Sequence, residues 1–307
     1  MGFLYMLESI RTPFGAQAAA LMTRLGEETF FMLAGMVLLW CLDKKWGFRL
    51  LLTGMAGTTL NQLLKGIFLI PRPWVLDPQF TIVESARAAA TGYSFPSGHT
   101  QSAAVVLGTV AVWQKKTWVT IVCAVMTLLV GFSRMYLGVH TPLDVGVSLV
   151  TGVLTVALFA WLFEKLENNR RGKVILGLAV LAFSAALVCF VTWMPAGERN
   201  IAEFDGHGVK SAWTILGGTA GLLAAWWLDD RYVHFDTKAV WWAQILKVLG
   251  GAAVVMAVRL GLKPVLNAAL GDAPVSSAIR YFLMALLAGG VWPMTFGFFG
   301  RLGKKKA

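Results

Sequence analysis

Three short segments of this chain place ionisable residues at spacings that could do chemistry on an anion. In the first, Lys65 and Arg72 bracket the end of an apolar run, with Arg72 held between Pro71 and Pro73. The prolines fix the backbone there, and a planar guanidinium suits two-point binding of a phosphate. A pair of cations at such a place can also be a simple membrane-edge anchor. In the second, Pro96-Ser97-Gly98-His99 opens the next apolar run. A helix start presents free amides and the positive end of a dipole, and Gly98 would let a ligand approach the backbone. The plainer reading is a serine cap and a turn glycine, which leaves the histidine unexplained. In the third, Ser133-Arg134 is followed by His140 and Asp144. A spacing of four puts that imidazole and carboxylate on one helix face, where the carboxylate can fix the tautomer and free the other ring nitrogen to act as nucleophile or base. Such a pair is often only structural. Three cations, a helix-start anion cradle and two histidines together meet the needs of phosphoryl transfer.

The elements that must position these residues are membrane spans. The 307 residues are 57% hydrophobic and 14% charged, against about 45–50% and 25% in soluble domains, and the mean hydropathy is +0.66. The net charge is +11, but Lys and Arg sit in short clusters between apolar stretches, at 42–49, 114–116, 168–173 and 303–306. That is the pattern of cationic loops on a polytopic membrane protein, and it argues against nucleic acid as a partner. Cys41, Cys123 and Cys189 each lie within an apolar stretch and read as unpaired thiols rather than a disulfide framework or a zinc site. The first 24 residues lack the pattern of a cleavable leader. Asp205, Asp229, Asp230 and Asp272 are too scattered to hold magnesium, so no metal or other cofactor is expected.

Nine spans are expected, at about 28–42, 50–69, 99–114, 117–133, 143–163, 174–194, 212–228, 241–262 and 278–299. Before them, residues 3–24 read as two short amphipathic helices around Thr12-Pro13, lying in the interface. Tryptophans near the span ends, Trp40, Trp113, Trp118, Trp193, Trp226, Trp227, Trp241 and Trp242, are expected at the headgroup level. Alternating loops put most of the Lys and Arg clusters on one side, the cytoplasmic side by the positive-inside rule, and all three chemical segments on the other. The small residues Gly217, Gly218, Ala220 and Gly221 mark a close helix contact, within the bundle or between copies.

The three segments resemble the signature motifs of the type 2 phosphatidic acid phosphatase superfamily, KxxxxxxRP, PSGH and SRxxxxxHxxxD. Every defined position is present: Lys65, Arg72 and Pro73; Pro96, Ser97, Gly98 and His99; Ser133, Arg134, His140 and Asp144. The resemblance implies an all-α bundle with a six-span catalytic core. It implies that His140 attacks phosphorus to form a phosphohistidine and that Asp144 orients it. His99 would protonate the leaving alkoxide and then activate water. Lys65, Arg72, Ser97, Gly98 and Arg134 would hold the phosphate oxygens. Vanadium haloperoxidases share the motif but are soluble, and the apolar spans argue against that branch.

The organisation expected is therefore interfacial helices at 1–27, a catalytic core at 28–197 and a three-span extension at 198–307. The expected activity is metal-independent hydrolysis of a lipid phosphate or diphosphate: phosphatidic acid, phosphatidylglycerol phosphate, a polyprenyl pyrophosphate or a sphingoid base phosphate. The expected place is a membrane, with the site facing the exterior or periplasm in a bacterium or the lumen of the endoplasmic reticulum in a eukaryote. Transfer of phosphate to an acceptor lipid, hydrolysis of a sugar phosphate as in glucose-6-phosphatases, and transport through a cation-lined path are the alternatives. In the extension, Glu198, Arg199, Asp205, His207, Lys210, Arg259, Lys263 and Arg280 fall near the outward face and could shape a headgroup site, although loop solvation explains any one of them. The lipid, the organism and the oligomeric state are not legible in the sequence.

Overall fold

A computed structural model describes residues 1–193 and 202–302, with the side chains of 202–205 excepted. The expected core–extension boundary, Glu198, Arg199, the Asp205 side chain and the terminal lysines lie outside the described residues. Among the described residues the chain is all helix, with no strand. Two short helices, α1 (Gly2–Ser9) and α2 (Pro13–Thr23), precede α3 (Glu28–Val37), α4 (Lys44–Phe68), the single turn α5 (Pro73–Leu76), α6 (Gly98–Gln114), α7 (Thr117–Tyr136), α8 (Pro142–Lys165), α9 (Arg170–Trp193), α10 (Ala202–Leu228), α11 (Trp241–Leu270), α12 (Val275–Leu286) and a last turn, α13 (Phe296–Phe299).

Each of the nine expected spans is a helix or a run of helical turns. Five are long and apolar enough to cross a membrane unaided: α7, α8, α9, α11 and the composite stretch Val275–Phe299. Their outer faces carry exposed apolar side chains, such as Ile121, Val125, Leu128 and Phe132 on α7 and Val150, Leu154 and Leu158 on α8. Polar residues are turned inward instead, as an integral membrane protein requires. The interior helices α4 and α6 are less apolar because neighbouring helices shield them. Asn61, Thr59, Gln101 and Thr109 are all buried on them, and Asn61 Nδ2 donates to Gln101 Oε1 at 2.8 Å.

Local chemistry sets the helix ends that matter. Asp43 caps α4 by accepting from Trp46 N at 3.1 Å, and α4 stops at Leu69, whose left-handed φ of 48° turns the chain toward Pro71-Arg72-Pro73. Ser97 caps α6. Thr141 caps α8 with Pro142 in its first turn, and Asp144 closes a reciprocal capping box with Thr141.

One expectation changes, and two are made more specific. The second N-terminal helix leads directly into the first expected span. The stretch Pro13–Gly26 runs on to Glu28–Leu42 through a 51° bend, and the pair together is long and apolar enough to span. The bend falls where Gly26 lies so close to α6 that an added Cβ would come within 2.4 Å of the His99 carbonyl oxygen. Trp40, expected at the headgroup level, is wholly buried. Its π-helical turn, Leu38–Leu42, aims the indole inward to donate from Nε1 to Ala288 O at 2.8 Å. The Gly217/Gly221 contact lies within the bundle: added Cβ atoms would come within 2.0 Å of Ala278 O and 2.3 Å of Phe282 O, so these glycines seat α10 against the backbone of α12. All three cysteines are free.

Candidate active site

The ends of α4 and α7, the starts of α6 and α8, and the loops between them meet at one end of the bundle. Lys65, Arg72, Ser97, Arg134, His140 and Asp144 are all buried there. His99 follows Gly98 in the first turn of α6, and its Nε2 is buried. The residues named from sequence therefore converge, although up to 79 positions separate Lys65 from Asp144.

His140 is held from both ring nitrogens. Nδ1 lies 3.3 Å from Asp144 Oδ2, and Nε2 lies 2.8 Å from Arg72 Nη1. A guanidinium can only donate, so Nε2 must be the acceptor and the ring proton belongs on Nδ1, facing the carboxylate. Asp144 Oδ2 is fixed in turn by Ser94 Oγ at 2.6 Å and Thr141 N at 2.7 Å. Burial, and then the charges of Arg72, Arg134 and Lys65, push the His140 imidazole well below its usual range. The ring is thus neutral at ordinary pH, with its lone pair on the nitrogen that faces the cations.

Two of the three cations, Arg72 and Lys65, are seated on backbone carbonyls rather than carboxylates. Arg72 donates from Nε to Gly92 O at 2.9 Å, from Nη2 to Thr91 O at 2.6 Å and from Nη1 to Val139 O at 3.0 Å. Burial lowers Arg72 to about 10, against the pull of Asp144, so it stays charged. Lys65 Nζ donates to Tyr93 O. Arg134 donates from Nη1 to Thr23 Oγ1 at 3.0 Å, while its Nε and Nη2 are buried without a partner among the described residues. His99 Nε2 and Asp144 Oδ1 are buried and unpartnered too. An unmet buried guanidinium nitrogen is costly, so a cluster of unmet donors fits a site built for an anion.

The helix-start segment is built as a cradle. Ser97 N donates to Asp144 O at 3.1 Å, and Ser148 Oγ donates to Ser97 O at 2.8 Å. These bonds tie the start of α6 to that of α8. Ser97 Oγ accepts from Thr100 Oγ1 at 2.9 Å, which leaves its own hydroxyl proton free to donate. An added Cβ at Gly98 would meet only Asn61 Oδ1, at 3.5 Å. Protein packing therefore does not demand the glycine.

Sequence reasoning missed two parts of this site. Residues 91–94 supply three successive carbonyls to Arg72 and Lys65 and then the Ser94 hydroxyl to Asp144. Thr23, from the N-terminal segment, reaches Arg134. Within the extension, His207 touches this region through Thr91, at 3.0 Å.

Comparison with known proteins follows the same residues. Residues 46–168 match the model of the PAP2 superfamily, and residues 213–305 match that of the PAP2 superfamily phosphatase, transmembrane extension. The chain is 35% identical over 109 residues to undecaprenyl-diphosphatase BcrC of Bacillus subtilis, covering 35% of this chain and 53% of that protein. It is 29% identical over 177 residues to phosphatidylglycerophosphatase B of the same organism, covering 53% and 82%. It is 30% identical over 203 residues to sphingosine-1-phosphate phosphatase 1 of Rattus norvegicus, covering 62% and 45%. The chain thus spans about half the length of the first and third of these relatives. No solved structure matches.

Proposed function

The chain belongs to the PAP2 superfamily, and from that premise we propose that it is a membrane phosphatase that hydrolyses a lipid phosphate or diphosphate through a phosphohistidine on His140. One observation carries the reading. The lone-pair nitrogen of a buried, neutral imidazole, His140 Nε2, lies 2.8 Å from a guanidinium, and buried nitrogens of Arg134 and His99 stand by without partners.

In the first step, the His140 Nε2 lone pair forms an N–P bond. The P–O bond to the lipid oxygen breaks, and that oxygen takes a proton from the His99 imidazolium. In the second step, His99 removes a proton from water, the oxygen of which attacks phosphorus. The P–N bond breaks, its electron pair returns to Nε2, and inorganic phosphate leaves. Arg72, on losing its contact with Nε2, turns its donors to the phosphate oxygens. Lys65, Arg134, Ser97 and the amides at Gly98 neutralise the remaining charge, as a phosphoryl transition state requires. Asp144 stabilises the positive charge that His140 acquires.

Residues 28–197 form the catalytic core and 198–307 the extension, while residues 1–27 add a cover that contributes Thr23. The site faces away from the cytoplasm, because the loops at the other end carry most of the Lys and Arg clusters. The three relatives named above act on lipid phosphates by their names, and a site at the membrane edge admits a headgroup while the tail stays in lipid. A phosphate-release screen over phosphatidic acid, phosphatidylglycerol phosphate, a polyprenyl diphosphate, a sphingoid base phosphate and glucose 6-phosphate, run beside His140→Ala, tests this. The expected result is release from at least one lipid by the wild type and none by the variant. Equal release by both, or release from the sugar phosphate alone, overturns it.

A further inference from the structure

We propose that His207, on the extension helix α10, is a positioning residue for phosphate capture: it pins the strand of backbone on which Arg72 is seated. The proposal rests on the phosphatase reading for its meaning but has its own geometry.

Arg72 takes two of its backbone acceptors from consecutive residues, Thr91 O at 2.6 Å and Gly92 O at 2.9 Å. Those carbonyls belong to a loop, and Gly92 adopts a φ of +65° that few other residues tolerate. A loop carbonyl aims a guanidinium only as well as the loop itself is held. On the far side of this strip stands His207. Its Nε2 lies 3.0 Å from Thr91 Oγ1, and Ser211 Oγ, one turn further along α10, lies 3.3 Å from the same nitrogen. Either tautomer is served, because both hydroxyls can donate or accept. The ring also covers Gly92: a Cβ added there would come within 3.3 Å of His207 Cδ2.

The support is rigid. Gly217 and Gly221 seat α10 on the backbone of α12, and Ala212 and Ile215 pack with Leu187 and Val188 of α9. The path therefore runs from a fixed helix through His207 to Thr91, from Thr91 and Gly92 to Arg72, and from Arg72 to His140 Nε2 at 2.8 Å. A histidine that only met solvent would require none of these contacts. The extension thereby becomes part of the catalytic unit rather than an appendage to it.

The test uses the purified full-length protein in detergent micelles and two readouts: vanadate affinity from thermal-shift titration, and kcat/KM on the best lipid phosphate of the screen. His207→Ala is expected to weaken vanadate and lower kcat/KM by about tenfold each, the scale of one positioning hydrogen bond. Thr91→Val removes the same bond from the loop side without touching α10, and should do likewise. The double variant should be no worse than either single one, because a shared interaction is lost only once. His207→Gln, which restores a polar group at that reach, should recover most of the loss. Unchanged vanadate affinity in both single variants overturns the proposal, as does full additivity in the double variant. If the wild type fails to turn over any substrate, the phosphatase reading falls. The vanadate titration still decides whether His207 seats Arg72.

Discussion

The two ends of α4 hold cations in opposite circumstances. At its start, Lys44 pairs with Asp229 at 2.9 Å, and Lys45 and Arg49 pair with Glu167. Nearby, Arg170 meets Asp230 at 2.7 Å. At its other end, about 30 Å away along the helix axis, Lys65, Arg72 and Arg134 have no carboxylate within ion-pair distance among the described residues; carbonyls hold the first two and the Thr23 hydroxyl the third. The first set is neutralised and staples helices together. The second has no such counter-charge, which fits the anion site proposed above. A buried cation with a carboxylate partner is a structural device, whereas several without one form a binding site.

The comparison can be broken by substituting at each end. The largest expected effect is in His140→Ala, which should lose turnover by about 10⁴-fold or more while its thermal midpoint stays near that of the wild type. Next is Arg134→Met. Activity should fall by about 10²–10³, yet the protein should melt no earlier, because the change removes a buried charge with two unmet donors. An Arg134→Met protein that unfolds much earlier would mean that the guanidinium holds the fold, and the contrast between the ends would collapse. At the other end the pattern should invert. Asp229 accepts from Lys44 Nζ and from Phe235 N, so Asp229→Ala should lower stability by about 1–3 kcal/mol in a denaturation series with turnover intact. Smallest is Glu167→Gln, whose carboxylate is 40% exposed. Its cost should stay under about 1 kcal/mol.

What the sequence revealed of all this follows from where the information resides. The helices were legible because lipid demands continuous apolar surface: one occupies each expected range, and five have the length and apolarity to cross a membrane unaided. Lys65, Arg72, His99, Arg134, His140 and Asp144 were legible as candidates because their side chains recur at fixed spacings. Residues 91–94 were not, since they act mainly through backbone carbonyls, which every residue type possesses. Thr23 was invisible for another reason. It meets Arg134 across 111 positions, and a lone threonine near a helix end carries no signal of so distant a partner. Trp40 misled because a tryptophan near a span end usually marks the interface. Only the widened turn at Leu38–Leu42 shows that this one points inward. His207 read as loop polarity until α10 brought it to Thr91.

The central claim, that His140 Nε2 takes phosphorus, is tested most directly by rapid quenching. The enzyme is mixed with lipid substrate labelled in the scissile phosphate, quenched in base within one turnover, and the protein-bound label is mapped. An acid-labile, base-stable phosphate on His140, absent from His140→Ala, is the predicted result. Turnover with no label on the protein, or label on any other residue, would contradict it.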